Sequence, residues 1–224
     1  MKTNLIVMLT YNDVTVENAL DLFEASKDVP AKFWGFKDVG LDVQQMKQLV
    51  GRMKAAGKTT FLEVVHYGEK EGLQAAQLAL ECGVDYLTGT IFHDSILELV
   101  KDRDIQYFPF FGNIYGHPVV LGGQIDEIVR HGKELEDKGV DGLDLVAYRY
   151  EDSEKVEELV RRCAEEIGVP LILAGSVDSW SRVEEVKGYG VWAFTIGSAF
   201  FDKQFLPESS FEEQIRGVHD NVKK

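Results

Sequence analysis

The sequence predicts an α/β protein, a (β/α)8 barrel in which eight parallel strands close into a cylinder, with residues 1–224 forming one domain. Three observations carry that prediction. Apolar runs of strand length alternate with amphipathic helical segments along the chain, the alternation yields eight units, and glycines recur where helices hand over to strands. A doubly wound open sheet is the alternative. It needs only about five or six strands and normally carries a glycine fingerprint at its first turn, where this chain reads Thr10-Tyr11-Asn12-Asp13.

Taken in order, the strands are expected at 5–10, 32–37, 59–66, 86–90, 105–110, 142–148, 170–174 and 191–196. The intervening segments repeat apolar residues at three- and four-residue spacing with charges opposite, as in Val-Glu-Glu-Leu-Val-Arg-Arg-Cys-Ala-Glu-Glu-Ile at 156–167. Gly57, Gly83, Gly139 and Gly168 are expected to close helices in the left-handed conformation, marking the bottom of the barrel. No linker or low-complexity tract suggests a second domain. A weak echo between Thr-Gly-Thr-Ile-Phe-His-Asp at 88–94 and Ile-Gly-Ser-Ala-Phe-Phe-Asp at 196–202 hints at duplication of a half-barrel.

A formal net charge of −14 argues against a nucleic-acid groove, which needs clustered Lys and Arg to displace counterions. An anionic ligand would then have to be held by local donors against the overall field. The two cysteines, Cys82 and Cys163, lie inside helical patterns without metal or disulfide spacing and are expected to fill core space in a reducing compartment. No apolar run is long enough to span a membrane and the start of the chain shows no signal pattern, so a cytoplasmic location is expected.

The seventh and eighth apolar runs each end in a Gly-Ser pair, Gly175-Ser176 and Gly197-Ser198, followed by a helical pattern. In an eight-stranded barrel those runs are neighbours, and the loops after them are a recurrent phosphate site. The N–H groups of Gly175, Ser176, Gly197 and Ser198, with both hydroxyls, are therefore expected to hold a phosphate, helped by a short helix beginning at Ser198. Tight turns with serine caps are the plainer reading. Over 171–205 the Ala-Gly-Ser-Val and Thr-Ile-Gly-Ser-Ala-Phe-Phe segments resemble the paired phosphate loops of the ribulose-phosphate-binding barrels. That group includes sugar isomerases of histidine and tryptophan biosynthesis and sugar-phosphate epimerases, decarboxylases and synthases. The resemblance implies a carboxylate after strand one, which Asp13 matches slightly late. It also implies an acid or thiol across the barrel, where Phe110-Phe111-Gly112-Asn113 offers none.

Polar residues ending the strands are the candidates for chemistry. Lys37 is expected as a general acid, an electrostatic clamp or, if desolvated, a Schiff-base amine. Glu63 interrupts an apolar strand and needs a partner, for which Lys37 on the adjacent strand is the choice. Asp144 breaks the sixth strand as either a general base or a core acid, and alternation alone does not say which side it faces. His66 can exchange a proton near neutral pH or simply be bonded at the rim. Asn12, Asp13, Thr90, Asn113 and Arg149 are the substrate-binding candidates, Arg149 for a second anionic group. The segment 110–124 is expected to be a lid, or else a contact between two copies in a homodimer.

The function expected is therefore an enzyme that binds a small phosphorylated, sugar-like substrate and transfers a proton next to a carbonyl, as an isomerase, epimerase or lyase. The alternatives are a non-catalytic phospholigand-binding or scaffold protein and a flavin-type barrel. No cofactor is expected, and no metal, because no His and carboxylate cluster has ligand spacing, although Glu63 and His66 could join a divalent ion with substrate.

Overall fold

The computed structural model describes residues 3–224. Eight parallel strands form a closed barrel: β1 (Asn4–Met8), β2 (Phe33–Lys37), β3 (Thr59–Glu63), β4 (Tyr86–Ile91), β5 (Gln106–Phe110), β6 (Leu143–Leu145), β7 (Leu171–Leu173) and β8 (Ala193–Ile196). Each pairs with its neighbours in sequence and β8 returns to β1, so the closed α/β barrel read from the sequence is the fold observed. Helices α1 (Ala19–Ser26), α2 (Val43–Ala55), α3 (Glu69–Cys82), α4 (Asp94–Val100), α5 (Ile125–Lys138), α6 (Val156–Glu166), α7 (Trp180–Tyr189), α8 (Ser198–Phe201) and α9 (Phe211–Val222) complete the chain. Cys82 and Cys163 are free thiols buried on α3 and α6. No described helix is long and apolar enough to cross a membrane.

Alternation along the strands sorts side chains into two cores. One face of each strand packs under the helices, with Trp34, Phe36, Leu62, Leu87, Leu143 and Leu145 among the residues buried there. The other face fills the lumen with Ile6, Met8, Phe61, Phe108 and Ile172, closed below by Phe33, Tyr86 and Trp192. The aromatic rings interlock, Phe61 stacking on Tyr86 at 4.3 Å and Tyr86 on Trp192 at 5.5 Å. The lower lumen is thus a packed apolar plug, and only the upper end is free to carry polar groups.

Several boundaries differ from the sequence reading. The third strand stops at Glu63 rather than residue 66, because the Val65 N–H turns to the Asp38 carboxylate, 3.0 Å away. The sixth stops at Leu145, after which Ala147–Arg149 tightens into a 3-10 turn. Gly57, Gly83 and Gly139 adopt positive φ, whereas Gly168 does not. The C-cap of α6, Ile167, is extended, and the Glu136 carboxylate accepts the Gly168 N–H at 3.0 Å, so no left-handed residue is needed. The echo between 88–94 and 196–202 is not conformational: Gly89 has φ +78° inside β4, while Gly197 has φ −122° and caps α8.

Candidate functional site

At the upper end of the barrel Lys37 and Glu63 are in register on adjacent strands, and the ammonium lies 3.1 Å from the Glu63 carboxylate. Both side chains are almost fully buried. Gly89 makes room for this pair, since a Cβ there would lie 2.8 Å from Glu63 Cγ and 2.9 Å from the Val64 carbonyl. The chain after β1 folds into a small hairpin, Thr10–Tyr11 against Val14–Thr15. Asn12 and Asp13 both take positive φ at its tip, the geometry of a two-residue turn in which Asn and Asp are tolerated without glycine. Thr15 at its base fixes the backbone of Lys37, its hydroxyl accepting the Lys37 N–H at 2.8 Å and donating to the Lys37 carbonyl at 2.9 Å. Asp13 at the tip then reaches Lys37 Nζ at 2.8 Å and the Arg149 guanidinium at 3.2 Å.

The electrostatics follow from this chain of charges. Burial disfavours an ammonium, but the Glu63 and Asp13 carboxylates outweigh it and hold Lys37 above its ordinary pKa, hence protonated. Burial likewise pushes Asp13 up, and Lys37 and Arg149 outweigh it to hold the carboxyl below its ordinary range. Asp144 behaves differently. It is 1 % exposed and sits in the lumen, paired in register with Ile172, while Leu143 and Leu145 face the helices, which settles the direction that alternation left open. Burial first, and the nearby Glu63 charge second, raise its pKa well above the usual carboxylate range, with Lys37 opposing. Among the described residues its Oδ1 has no hydrogen-bond partner. A neutral carboxylic acid beneath an ion chain is the consequence.

The two Gly-Ser turns leave the neighbouring strands β7 and β8 and line one cavity of about 210 Å³ together with Asp13, Lys37, Glu63 and Arg149. Among the described residues, the N–H groups of Gly175, Ser176, Gly197 and Ser198 donate to no protein acceptor. The capping reading has a specific answer: Ser179, not Ser176, caps α7 by accepting the Arg182 N–H at 3.4 Å. Ser176 Oγ instead faces Arg149 Nε at 3.4 Å, and Ser198 Oγ accepts the Asn12 N–H at 3.0 Å. The short helix expected at Ser198 is α8.

Not every candidate gathers here. Lys37, Glu63, Asp13, Arg149 and the four Gly-Ser residues line the cavity, with Asp144 just below it and Asn12 on an adjoining hollow. Thr90 is fully buried and its hydroxyl bonds the Tyr107 hydroxyl at 2.8 Å, within the layer beneath the helices. His66 is exposed and lines neither cavity, because β3 ends three residues earlier. Asn113 is exposed on a hairpin, Asn113–Tyr115 against Val120–Gly122, and borders a separate depression. That hairpin is the segment expected as a lid. Its Val119 reaches the main cavity, the Tyr67 hydroxyl donates to its Gly116 carbonyl at 2.8 Å, and the Tyr67 and His117 rings stack at 5.0 Å.

Sequence reasoning missed Thr10 and Thr195, which line the cavity, and Arg182, which donates to the Ser176 carbonyl at 2.6 Å and pairs with Asp178 at 2.9 Å. Thr195 was legible as the lumen-facing position of β8; Arg182 looked like an ordinary helix-surface cation.

Neither a protein-family model nor a curated protein matches the chain by sequence. Solved structures do match in shape. Orotidine 5′-phosphate decarboxylase from Pyrococcus horikoshii OT3 superimposes with a TM-score of 0.69 at 12% identity, covering 98% of this chain and 99% of that one. Thiamine phosphate pyrophosphorylase from Pyrococcus furiosus gives 0.67 at 15% identity, over 100% and 98% of the two chains. N-acetylmannosamine-6-phosphate 2-epimerase from Clostridium perfringens gives 0.65 at 11% identity, over 98% and 93%. What they share with this chain is the closed eight-stranded parallel barrel. At these identities the likeness concerns architecture, and the similar structures are mostly enzymes of differing reaction.

Proposed function

We propose that this barrel binds a small phosphorylated substrate through Gly175, Ser176, Gly197 and Ser198 and moves a proton next to a carbonyl held over Lys37 and Glu63, as an isomerase, epimerase or lyase. One observation carries the reading: both Gly-Ser turns, with amides unclaimed by protein acceptors, line the same cavity as the buried Lys37–Glu63 pair. A phosphate anchored on the turns supplies binding energy remote from the reacting carbon. Lys37, kept protonated, stabilises the oxygen of a developing enolate, and Glu63 is the carboxylate placed to exchange the carbon-bound proton. Asp144, held neutral below, presents a proton rather than accepting one. The protonated state of Lys37 disfavours an imine, since only the neutral amine attacks a carbonyl. The named phosphorylated compounds of two similar structures, an orotidine 5′-phosphate and an N-acetylmannosamine 6-phosphate, suit the same class of ligand.

The test incubates the protein in D2O with a panel of keto- and aldo-sugar phosphates and follows carbon-bound deuterium by NMR. Exchange abolished by Glu63→Gln, with no borohydride-trapped adduct on Lys37, is the expected result. A second reading, a non-catalytic phospholigand binder, draws on the closed ion chain, in which Lys37 and Arg149 already pair with Asp13 and Glu63. Saturable phosphate-ester binding without exchange on any panel member would favour it.

A further inference from the structure

Beside the phosphate cavity lies a second hollow of about 430 Å³, and the two share Asp13, Lys37, Glu63, Phe110 and Val119 as a common boundary. Its remaining walls differ in chemistry from the first. Val14, Val39, Val64, Val65, Tyr67 and Pro118 line it. The Tyr67 hydroxyl is already committed to the Gly116 carbonyl at 2.8 Å, so this residue offers the hollow its ring rather than a free polar group. His117 stacks parallel on that ring at 5.0 Å, with 3° between the planes, which stiffens the wall. Val14 lines this hollow and is 45 % exposed, an apolar side chain partly left in water among the described residues. Beyond the charged boundary, Asn12 is the neutral amide on this lining. A polyhydroxylated tail needs a partner for each hydroxyl it desolvates, and these walls supply few.

Resting on the phosphate reading above, we infer that the hollow lined by Val14, Val39, Val65, Tyr67 and Pro118 receives an apolar or aromatic group at the far end of the same substrate. The reacting carbon then lies over Lys37 and Glu63, between an anionic end on the Gly-Ser turns and an apolar end under the 113–122 hairpin. The substrate class is a phosphate ester that carries an aryl or alkyl group at its far end, beyond the reacting carbon.

Calorimetric titration with inorganic phosphate, ethyl phosphate, phenylethyl phosphate, phenylbutyl phosphate and ribose 5-phosphate tests this. Each buried methylene multiplies affinity roughly fourfold, so at least one phenylalkyl phosphate is expected to bind about tenfold or more tighter than ribose 5-phosphate. Val14→Ser combined with Val39→Ser, neutral changes at partly exposed positions, should remove most of that gain and leave inorganic phosphate unaffected. Phosphate binding with no gain from the phenylalkyl tail, or a gain that survives the double substitution, overturns the apolar subsite alone. Absence of saturable phosphate binding overturns the phosphate reading and this inference with it.

Discussion

Replacing Lys37 by Met removes the cation that, among the described residues, pairs with Glu63, and its cost can be worked from the geometry. The ammonium lies 3.1 Å from Glu63 and 2.8 Å from Asp13, with the Lys37 and Glu63 side chains 7% and 11% exposed. Asp13 is 34% exposed and keeps Arg149, so little of the loss arises there. Glu63 is left as a buried carboxylate beside Asp144 with no counter-charge. Breaking a buried pair by removing one partner costs about 3–5 kcal/mol. For a chain of this size that corresponds to a melting point lower by roughly 6–20 °C. Adding Glu63→Gln to Lys37→Met removes the stranded charge and should return stability to within about 2 kcal/mol of the parent. Urea unfolding at neutral pH, followed by the fluorescence of the three tryptophans, reads both variants. A single variant that loses less than about 1 kcal/mol, the range of an exposed pair, refutes the argument that this pair is desolvated. So does a double variant less stable than the single.

Ser179→Ala should cost about 1 kcal/mol through its lost helix cap and leave phosphate affinity unchanged, whereas Ser176→Ala should do the reverse; thermal melts with and without phosphate separate them. Thr90→Val removes one of two partners of the buried Tyr107 hydroxyl, which keeps the His93 backbone, and is expected to destabilise by about 1 kcal/mol, with turnover on any substrate found unchanged. The pH dependence of stability has two arms of opposite sign. Asp144 binds its proton more tightly folded than unfolded, so its contribution is full below the ordinary Asp range and is lost as pH rises toward its raised value. The slope approaches about 1.4 kcal/mol per pH unit per proton, and Asp144→Asn should flatten it. Asp13 is held low, so its contribution is present above the ordinary Asp range and is lost as pH falls through the folded value; Asp13→Asn should remove that acid-side loss.

The barrel was legible because its information is periodic. Alternating side chains and helical spacing specify which face is buried whatever the neighbours are, and the eight apolar runs map onto the eight strands. The Lys37–Glu63 contact was legible for a related reason: a charge inside an apolar strand needs a counter-charge, and adjacent strands supply one in register. The ends of the strands were harder. His66 looked like the tip of β3, but Asp38 captures the Val65 amide and ends the ladder, an interaction set by tertiary contact rather than by local pattern. Thr90 looked like a rim residue because the positive φ of Gly89 and the irregular register of β4 against β5, which disturb the inward-outward alternation, leave no mark in composition. Arg182 was invisible for the opposite reason, since a cation on a helix normally faces water and only the turn of the preceding loop brings the Ser176 carbonyl to it.

The charges at the barrel mouth bear on how an acidic protein would offer the proposed site to an anion. Lys37 and Arg149 are matched by Asp13 and Glu63, so the ion chain is neutral as a whole while Asp144 keeps its proton. Were Asp144 ionised, the centre would carry an extra negative charge close to where a phosphate arrives, in addition to the net −14 of the chain. The packed lumen below Asp144 supplies the desolvation that prevents this. On the proposed phosphate reading, the amide dipoles of the two Gly-Ser turns would act on the anion, and Arg149, whose Nε lies 3.4 Å from Ser176 Oγ, would add its charge. The apolar plug of the barrel, the neutral acid above it and the free amides at its rim are therefore successive parts of one electrostatic arrangement. Removing the desolvation at the bottom would weaken anion binding at the top without touching a single phosphate donor.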